Sequence, residues 1–503
     1  MKKNLALLFL AVLTALTMRA QRVPTLAEVG PQAMPDTIAP VKAPFAMPQP
    51  ERPDFGTRRI LLKLKPGRKA TRAIQQAIDR LSARGGGTVV VPPGQWSTGR
   101  LELKSGVCLH LPKGCELAFS GNIADYQPAV FTRDEGMELF STGACIYACD
   151  AHDIGVTGQG VISGPSTKCE IYRHNARYTP NPEPMIDRTP LEQRHYNGLD
   201  TTPVFLPKTI APIRCTRVLV EGVTLRATLY WNIVPQYCQQ VIIRGVTVES
   251  HGHGRTDGID VDSSSDVLIE YCSMDCGDDT YTLKSGRGND GIRVNRPTEN
   301  VVIRHCLALR GQGGLVVGTE TAGGVSHVYM HDCVFKGTNQ AFRFKTRRPR
   351  GGGMSDVVAE RIRADVVKQA FFVDMLGSSR YVGDLARRLP LRAVNALTPD
   401  FHTIRLSDIL VERCGRLFDM RGLPERPLRN VVINRLTAHC REFMSMNDVT
   451  SLTLVDSHVD SADTGATLTG CSGLSLVNCT FTQPATWKLD GSTPPLEVPI
   501  QLK

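Results

Sequence analysis

A six-residue pattern recurs along the chain from residue 218 onward. It has apolar residues at positions one, three and six, and mostly polar residues at positions four and five. Its copies begin at Val218, Val241, Val267, Val301, Val328, Val357, Ile409, Val431, Leu452 and Leu474. Successive copies lie 23, 26, 34, 27, 29, 52, 22, 21 and 22 residues apart, and we interpret the interval of 52 as two turns. A period of about 20 to 30 residues built from short strands is typical of a solenoid. The chain is therefore predicted to be an all-β, single-domain parallel β-helix.

Position six of the pattern indicates how the cysteines are used. It holds a cysteine in five copies and an aliphatic residue in four others, so the two kinds of side chain are interchangeable there. The five cysteines are Cys272, Cys306, Cys333, Cys414 and Cys479. The total of 15 cysteines is odd, and the chain has neither a CxxC pair nor histidines at zinc spacing. We expect buried thiols that pack as small apolar residues, without a disulfide framework or a zinc site.

One amphipathic helix is predicted ahead of the repeats, within residues 66–84. Apolar residues recur there at helical spacing, at Ile74, Ala77, Ile78 and Leu81. Thr71 is the predicted N-cap, and the three glycines at 85–87 are the predicted stop. We expect this helix to cap the N-terminal end of the β-helix.

The N-terminal segment is typical of an exported protein. Lys2 and Lys3 precede an apolar run, and Ala20 lies at a cleavage position, which together predict a signal peptide over residues 1–20. Residues 21–55 are rich in proline and lack apolar periodicity, so they are predicted to form a linker or a surface strap. Residues 56–503 are assigned to the β-helix domain. We expect a periplasmic or secreted bacterial protein.

The charge balance favours an acidic partner. The chain carries 59 Lys and Arg against 49 Asp and Glu, a formal net charge of +10, which removal of Lys2, Lys3 and Arg19 with the signal peptide lowers by three to +7. The basic residues are dispersed among acidic ones and aromatic residues are sparse, so nucleic acid is a poor fit and an acidic polysaccharide a better one. The mature chain has no apolar run long enough to cross a bilayer. We expect a monomer without membrane insertion.

Three carboxylates are predicted to meet on one face of the coil. Asp257 precedes the adjacent pair Asp278 and Asp279 by 21 residues, about one turn. Adjacent residues of an ideal strand point to opposite faces, so Gly277 must provide a bend if both members of the pair face the same cleft. Glycoside hydrolysis needs one protonated and one ionised carboxyl group, which such a cluster supplies. The alternative is a solvated turn or a calcium site.

The next turns of the same face carry uncharged and basic groups. Gln312 lies in the stretch GQGG, and Arg343 and Lys345 alternate on the following turn. Alternate basic residues share a strand face and can hold a substrate carboxylate. Either cation alone would be interpreted as a solvated surface residue.

These four stretches resemble the polygalacturonases, glycoside hydrolase family 28. That family has Asn-Thr-Asp, Gly-Asp-Asp, Gly-His-Gly and Arg-x-Lys motifs on consecutive turns of a right-handed parallel β-helix. The matching stretches are RTDGIDVDSSSDVLIE, CGDDTYTLKSGRG, GQGGLVVGTE and AFRFKTRRPRGGG. The stretches KSGRGNDG and RFKTRRPRGGG resemble the exo-acting bacterial branch in particular.

The resemblance implies a role for each matching residue. Asp278 would be the general acid, Asp257 and Asp279 would activate water, and the anomeric carbon would be inverted. Arg343 and Lys345 would bind the galacturonate carboxylate. Neither a metal nor an organic cofactor would be needed. The implied activity is that of an exported, inverting exo-α-galacturonidase acting on homogalacturonan or rhamnogalacturonan oligosaccharides.

Two departures from the family motifs keep alternatives open. Arg255 replaces the family asparagine, and it can favour the ionised form of Asp257 or engage a further acidic group of the substrate. Gln312 replaces the family histidine and cannot titrate. The main alternative is therefore a catalytically impaired relative that binds acidic oligosaccharide, and a lyase is a third. Residues 165–212 interrupt the repeats, either to close one end of a groove or as an insertion without function.

Overall fold

The computed structural model describes residues 22–175, 186, 188–199 and 201–490. The predicted signal peptide lies outside these residues. None of the helices in the described part of the chain is long and apolar enough to cross a membrane.

Short strands dominate the architecture. In chain order they are β1 Arg59–Leu61, β2 Gly87–Val90, β3 Gly94–Thr98, β4 Leu101–Glu102, β5 Val107–Leu111, β6 Cys115–Phe119, β7 Val130–Asp134, β8 Met137–Ser141, β9 Ala144–Cys149, β10 His152–Gly158, β11 Val161–Ser163, β12 Lys208–Ile213, β13 Thr216–Glu221, β14 Thr224–Arg226, β15 Gln239–Arg244, β16 Thr247–Glu249, β17 Ile259–Asp262 and β18 Ser265–Glu270. They continue as β19 Ser273–Asp275, β20 Tyr281–Lys284, β21 Thr298–Arg304, β22 Leu307–Ala308, β23 Gly311–Val317, β24 Val325–Lys336, β25 Thr338–Lys345, β26 Gly353–Met354, β27 Val357–Asp365, β28 Gln369–Asp374, β29 Asp400–Arg421, β30 Leu428–Asn447, β31 Val449–Val455, β32 His458–Thr469, β33 Ser472–Val477, β34 Thr480–Phe481 and β35 Thr486–Leu489.

Helices are few among the described residues. The α-helices are α1 Thr71–Ser82, α2 Glu170–Arg173, α3 Gly288–Val294 and α4 Ser379–Val382. The 3₁₀ helices span Leu26–Glu28, Pro31–Ala33, Ile123–Tyr126, Leu191–Gln193 and Gly383–Ala386.

The strands coil into a parallel β-helix with three sheets, as the repeats predict. One sheet contains the repeat strands β13, β15, β18, β21, β24 and β27 in register, so that Val241, Val267 and Val301 form one row. Inward-facing residues of these strands are fully buried because each turn covers the next. A second sheet contains β11, β14, β16 and β19. The third contains β17, β20, β23, β25 and β28, and it positions the candidate site.

One repeat copy lies out of the predicted register. Val357 pairs with Ile404, and Ile404 pairs with Val431, so the copy begins at Ile404 and the predicted start at Ile409 is wrong. Ile409 pairs instead with Ile362, in the row of position six. The apolar pattern of positions one, three and six also fits IRLSDI, five residues earlier. The long interval is therefore a single turn, enlarged by an excursion over residues 375–399 that contains α4.

The cysteines pack as predicted. All 15 are free thiols, and all except Cys149 and Cys169 are buried. Cys306 donates its backbone N–H to the sulfur of Cys333 at 3.4 Å, which places these two on consecutive turns of one row. Cys414 pairs with Cys440, so it belongs to a different row from the one predicted for it.

The predicted helix is present, although its N-cap differs from the prediction. The four predicted apolar residues of α1 are buried against the first turns of the coil. Thr71 is the first residue of the helix, and its Oγ1 accepts a hydrogen bond from the backbone N–H of Gly99 at 2.8 Å instead of capping the helix.

The proline-rich segment lies against the outer face of the repeat sheet. The backbone carbonyls of Pro35 and Ala39 accept hydrogen bonds from Arg244 and Arg304, both at 2.7 Å. Val41 packs on outward-facing apolar residues of three consecutive turns, namely Leu268, Val302 and Tyr329. These side chains would face water without this segment, so its packing stabilises the coil.

Candidate active site

The structure brings the three predicted carboxylates together at the edge of the third sheet. Asp257 precedes β17 and Asp279 precedes β20 at equivalent positions, because Ile259 pairs with Tyr281. Carboxylate oxygens of Asp257, Asp278 and Asp279 all lie within 4.8 Å of one another. Three buried or half-buried acids this close cannot all ionise without nearby cations.

Gly277 allows both members of the aspartate pair to face this site. The chain bends at residues 277–278, immediately before β20. A Cβ atom on Gly277 would lie 1.8 Å from the carbonyl oxygen of His253, so any other residue would collide with backbone. The Gly277 N–H also donates to Oγ1 of Thr256 at 2.9 Å, which fixes the bend relative to the preceding turn.

Asp279 is held by both predicted basic residues. Arg343 Nη1 lies 2.5 Å from its Oδ1 and Lys345 Nζ lies 2.8 Å from its Oδ2. Burial alone would raise the pKa of Asp279, but Arg343 and Lys345 hold it well below the usual range. Asp279 is therefore an anion with both oxygens engaged. Gly313, on the intervening strand β23, leaves room for Arg343, because a Cβ there would lie 2.8 Å from the Arg343 Cβ.

Asp278 is the most accessible of the three acids. Its side chain is 32% exposed, against 2% for Asp279 and 4% for Asp257. Burial of the carboxyl group and the neighbouring Asp279 anion raise the pKa of Asp278, and Arg343, at 3.8 Å, offsets this only in part. An accessible carboxyl group with a raised pKa is suited to donate a proton to a substrate.

Asp257 lies deeper, and its cationic neighbour is Lys284. Burial, Asp260 and Asp278 raise the pKa of Asp257 well above its usual value, while Lys284 lowers it. Lys284 Nζ lies 3.7 Å from Asp257 Oδ2. Arg255 is exposed and forms no ion pair with Asp257 in the described part of the chain. The guanidinium that the sequence places beside Asp257 is thus not its counterion.

Lys284 is the site residue that sequence reasoning missed. Besides Asp257, its Nζ lies 3.3 Å from Asp260 and 3.6 Å from Glu320, and 3.9 Å from the centre of the Trp231 ring. Burial would lower the pKa of Lys284, but the surrounding acids keep it well above its usual value. The sequence feature that could have revealed Lys284 is its charge. It ends strand β20, in which every residue is buried.

Gln312 lies beside Asp278, as the motif order predicts. Its backbone N–H donates to the Asp278 carbonyl oxygen at 2.9 Å, and its Oε1 accepts from Asn339 Nδ2 at 2.7 Å. This contact leaves the amide nitrogen as the group of Gln312 that can donate to a substrate.

The oxygens of the three aspartates are close enough to hold a cation. Both oxygens of Asp279 already accept from Arg343 and Lys345, however, and Lys284 lies near Asp257. The negative charge is thus compensated by protein cations, which distinguishes the cluster from the calcium site considered as an alternative.

A family model for the glycosyl hydrolases family 28 matches residues 200–378. The matched span contains all three aspartates together with Gln312, Arg343 and Lys345. The chain is therefore similar to glycosyl hydrolase family 28 over these residues.

Curated relatives in the family are moderately similar. A probable polygalacturonase of Vitis vinifera is 26% identical over 416 residues, which cover 80% of this chain and 77% of the relative. An exo-poly-alpha-D-galacturonosidase of Dickeya chrysanthemi is 23% identical over 329 residues, which cover 61% of this chain. The match spans only 54% of the length of the Dickeya protein.

Solved structures of the family share the fold. A hyperthermoactive exopolygalacturonase from Thermotoga maritima superposes with a TM-score of 0.72 at 26% identity, covering 82% of this chain and 93% of that one. The family 28 exopolygalacturonase of Yersinia enterocolitica superposes with a TM-score of 0.60 at 18% identity, covering 88% and 80%. These likenesses confirm the predicted right-handed parallel β-helix.

Proposed function

We propose that this protein is an exported, inverting exo-α-galacturonidase that trims pectic oligosaccharides. The match to family 28 and the similarity to polygalacturonases support hydrolysis of galacturonosyl linkages. The observation that carries the finer proposal is the contrast between two adjacent acids. Asp278 is accessible with a raised pKa, whereas Asp279 is buried and held as an anion by Arg343 and Lys345.

The contrast assigns the chemical roles. Asp278 donates its proton to the glycosidic oxygen, the bond from that oxygen to the anomeric carbon breaks, and the leaving sugar departs as an alcohol. Asp279 and Asp257 orient a water molecule, and one of them accepts its proton as the water oxygen bonds to the anomeric carbon.

The surroundings of the two bases favour inversion, whereas the distance between the acids does not. A separation under about 5.5 Å is more typical of retaining enzymes, in which the second carboxylate attacks the sugar. Both oxygens of Asp279 are engaged by cations, and Asp257 is 4% exposed, so neither presents a free oxygen to the anomeric carbon. Both are better placed to hold water.

Substrate binding is assigned to four residues around the acids: Arg343, Lys345, Gln312 and Arg255. The Arg343 and Lys345 side chains are 19% and 18% exposed, so each can contact a ligand while holding Asp279. Nε of Arg343 is buried and has no hydrogen-bond partner among the described residues. The exposed part of the Arg343 side chain, and not Nε, would contact a galacturonate carboxylate.

Two excursions next to the site favour exo cleavage. The described residues between β11 and β12 and residues 375–399 both leave the coil, and side chains from both line one cleft beside Asp257. Such walls close a groove, so that only the end of a polysaccharide chain can enter it. We further propose that the enzyme acts as a monomer without a cofactor.

The test is product analysis with trigalacturonide labelled at its reducing end. Exo action from the non-reducing end releases unlabelled monomer first and leaves a labelled dimer. Labelled monomer as the first product would contradict that direction of action, and absence of any hydrolysis would contradict the activity.

A further inference from the structure

A cleft with two arginines that form no ion pair among the described residues lies beside the candidate active site. Its volume is about 350 Å³, which falls within the range of about 300–1,000 Å³ that is typical of small-ligand pockets. It is lined by Tyr172, Asn175, Leu206, His253, Arg255 and Arg380, together with Gly254.

Three distant segments build this cleft. Tyr172 and Leu206 come from the excursion between β11 and β12, and Arg255 comes from the loop that ends at Asp257. Arg380 comes from the excursion that follows β28. Strands β17 and β28 lie four pairings apart in the third sheet, so Arg380 must reach back across the turns that carry the site. The enlarged turn at 375–399 thus places a cation over the cleft.

Neither arginine has an acidic partner among the residues that the structure describes. Arginines elsewhere on the coil are commonly paired, for example Arg310 with Asp275 and Arg217 with Asp153. Arg255 and Arg380 are exposed and face the same cleft without such a pair. Two cations around one concave space favour an anionic ligand between them.

The backbone of Arg255 limits which residues can replace it in a test. Its φ is +68°, in the left-handed region that residues other than glycine, asparagine and aspartate seldom adopt. A replacement at residue 255 must therefore tolerate this region.

An aromatic wall completes the cleft. The rings of Tyr172 and His253 meet edge to face, with centroids 5.5 Å apart. A flat apolar surface beside cations suits a sugar ring that carries a carboxylate.

We propose that this cleft is a second carboxylate subsite, which binds another uronate residue of the same oligosaccharide through Arg255 and Arg380. The uronate ring packs on Tyr172, and its carboxylate lies between the two guanidinium groups. This inference rests on the proposed function, because the reacting uronate occupies the site of Asp278 while the second one occupies the cleft.

Calorimetric titration with trigalacturonide and digalacturonide tests the subsite without turnover. The full-length Asp278→Asn variant serves as the background, so that ligand is bound and not cleaved. Arg255→Asn and Arg380→Gln are added singly, since asparagine tolerates the left-handed backbone of residue 255. Arg387→Gln is the matched control, because it removes a cation from the same excursion whose partner is the exposed Asp384. Thermal melts establish that each variant is folded.

The background is expected to bind the trimer more tightly than the dimer. Each cleft variant should weaken trimer binding by about tenfold, as loss of a charge-assisted contact does, and Arg387→Gln should not. Trimer affinity that is unchanged in both folded cleft variants would overturn the subsite. Hydrolysis by the wild-type enzyme is measured separately. Weaker trimer binding in the cleft variants supports the subsite, whether or not the wild-type enzyme hydrolyses the oligomers. Failure of the wild-type enzyme to hydrolyse either oligomer contradicts only the proposed activity.

Discussion

Lys284 Nζ lies 3.7 Å from Oδ2 of Asp257, inside the coil and 6% exposed. A buried ammonium at this distance favours the ionised form of the carboxylate. It does so at a residue whose pKa is otherwise raised by burial and by neighbouring acids. Lys284 is thus a positioning residue that helps Asp257 act as a base, and it does not itself touch the substrate.

Replacing Lys284 with methionine should move the acidic limb of the kcat/KM profile to higher pH. Asp257 must be ionised to accept a proton, and loss of the cation raises its pKa further, so activity is lost earlier as the pH falls. We expect a shift of about one pH unit or more. Lys284→Arg, which keeps the charge, should shift the limb less. A profile of Lys284→Met that overlays that of the wild type would contradict this role.

Replacing Asp278 with asparagine should reduce turnover by at least about 10²–10⁴-fold, the range that general acids contribute. The fold should be retained, because the side chain is accessible and is not the partner that holds Arg343. Asp275→Asn is a suitable control, since Asp275 precedes the same bend but pairs with Arg310 outside the site. Substantial hydrolysis by Asp278→Asn would rule out Asp278 as the proton donor.

Replacing Asp260 with asparagine should flatten the dependence of stability on pH. Burial raises the pKa of Asp260 to about 7, an increase that Lys284 limits. The folded state therefore binds a proton more tightly than the unfolded state, and stability falls as the pH rises from the ordinary value of 3.8 toward 7. Thermal melting at pH 5, within that interval, and at pH 8, above it, measures the effect. An equal drop in Tm for the wild type and Asp260→Asn would contradict the assignment.

Replacing Gly277 with alanine should impair activity more than folding. The added Cβ would lie 1.8 Å from the His253 carbonyl, so the bend must open and Asp278 must move relative to Asp257. A displacement of about 1 Å in a catalytic group can cost about 10²-fold in rate. Gly465→Ala controls for the loss of a glycine, because its nearest contact is a flexible side-chain oxygen of Asp463 at 3.0 Å. Normal kcat/KM in Gly277→Ala would show that the bend is not required.

The coil could be predicted from the sequence because its stabilising pattern is local. Each turn repeats the same apolar spacing, so Val241, Val267 and Val301 could be aligned without knowledge of their contacts. The same local character caused the error at Ile409, where two overlapping hexamers satisfy the pattern and only strand pairing selects Ile404.

The candidate site could be predicted in part. The motif order places Asp257, Asp278 and Asp279 on adjacent turns, and the structure brings them together. The ion pairs of Asp279 with Arg343 and Lys345 could not be predicted, since they cross an intervening strand. The contact of Arg380 with the cleft was equally inaccessible, because it depends on the path of an excursion that has no repeat pattern.

In the proposed mechanism Asp278 is the acid, and Asp257 and Asp279 activate the water. Proton NMR of trigalacturonide hydrolysis by the purified wild-type enzyme tests it most directly, because it records the anomer formed before mutarotation. We predict that β-galacturonic acid appears first, released from the non-reducing end, and that Asp278→Asn produces none. Initial appearance of the α-anomer would show retention and would contradict the proposed roles of Asp257 and Asp279.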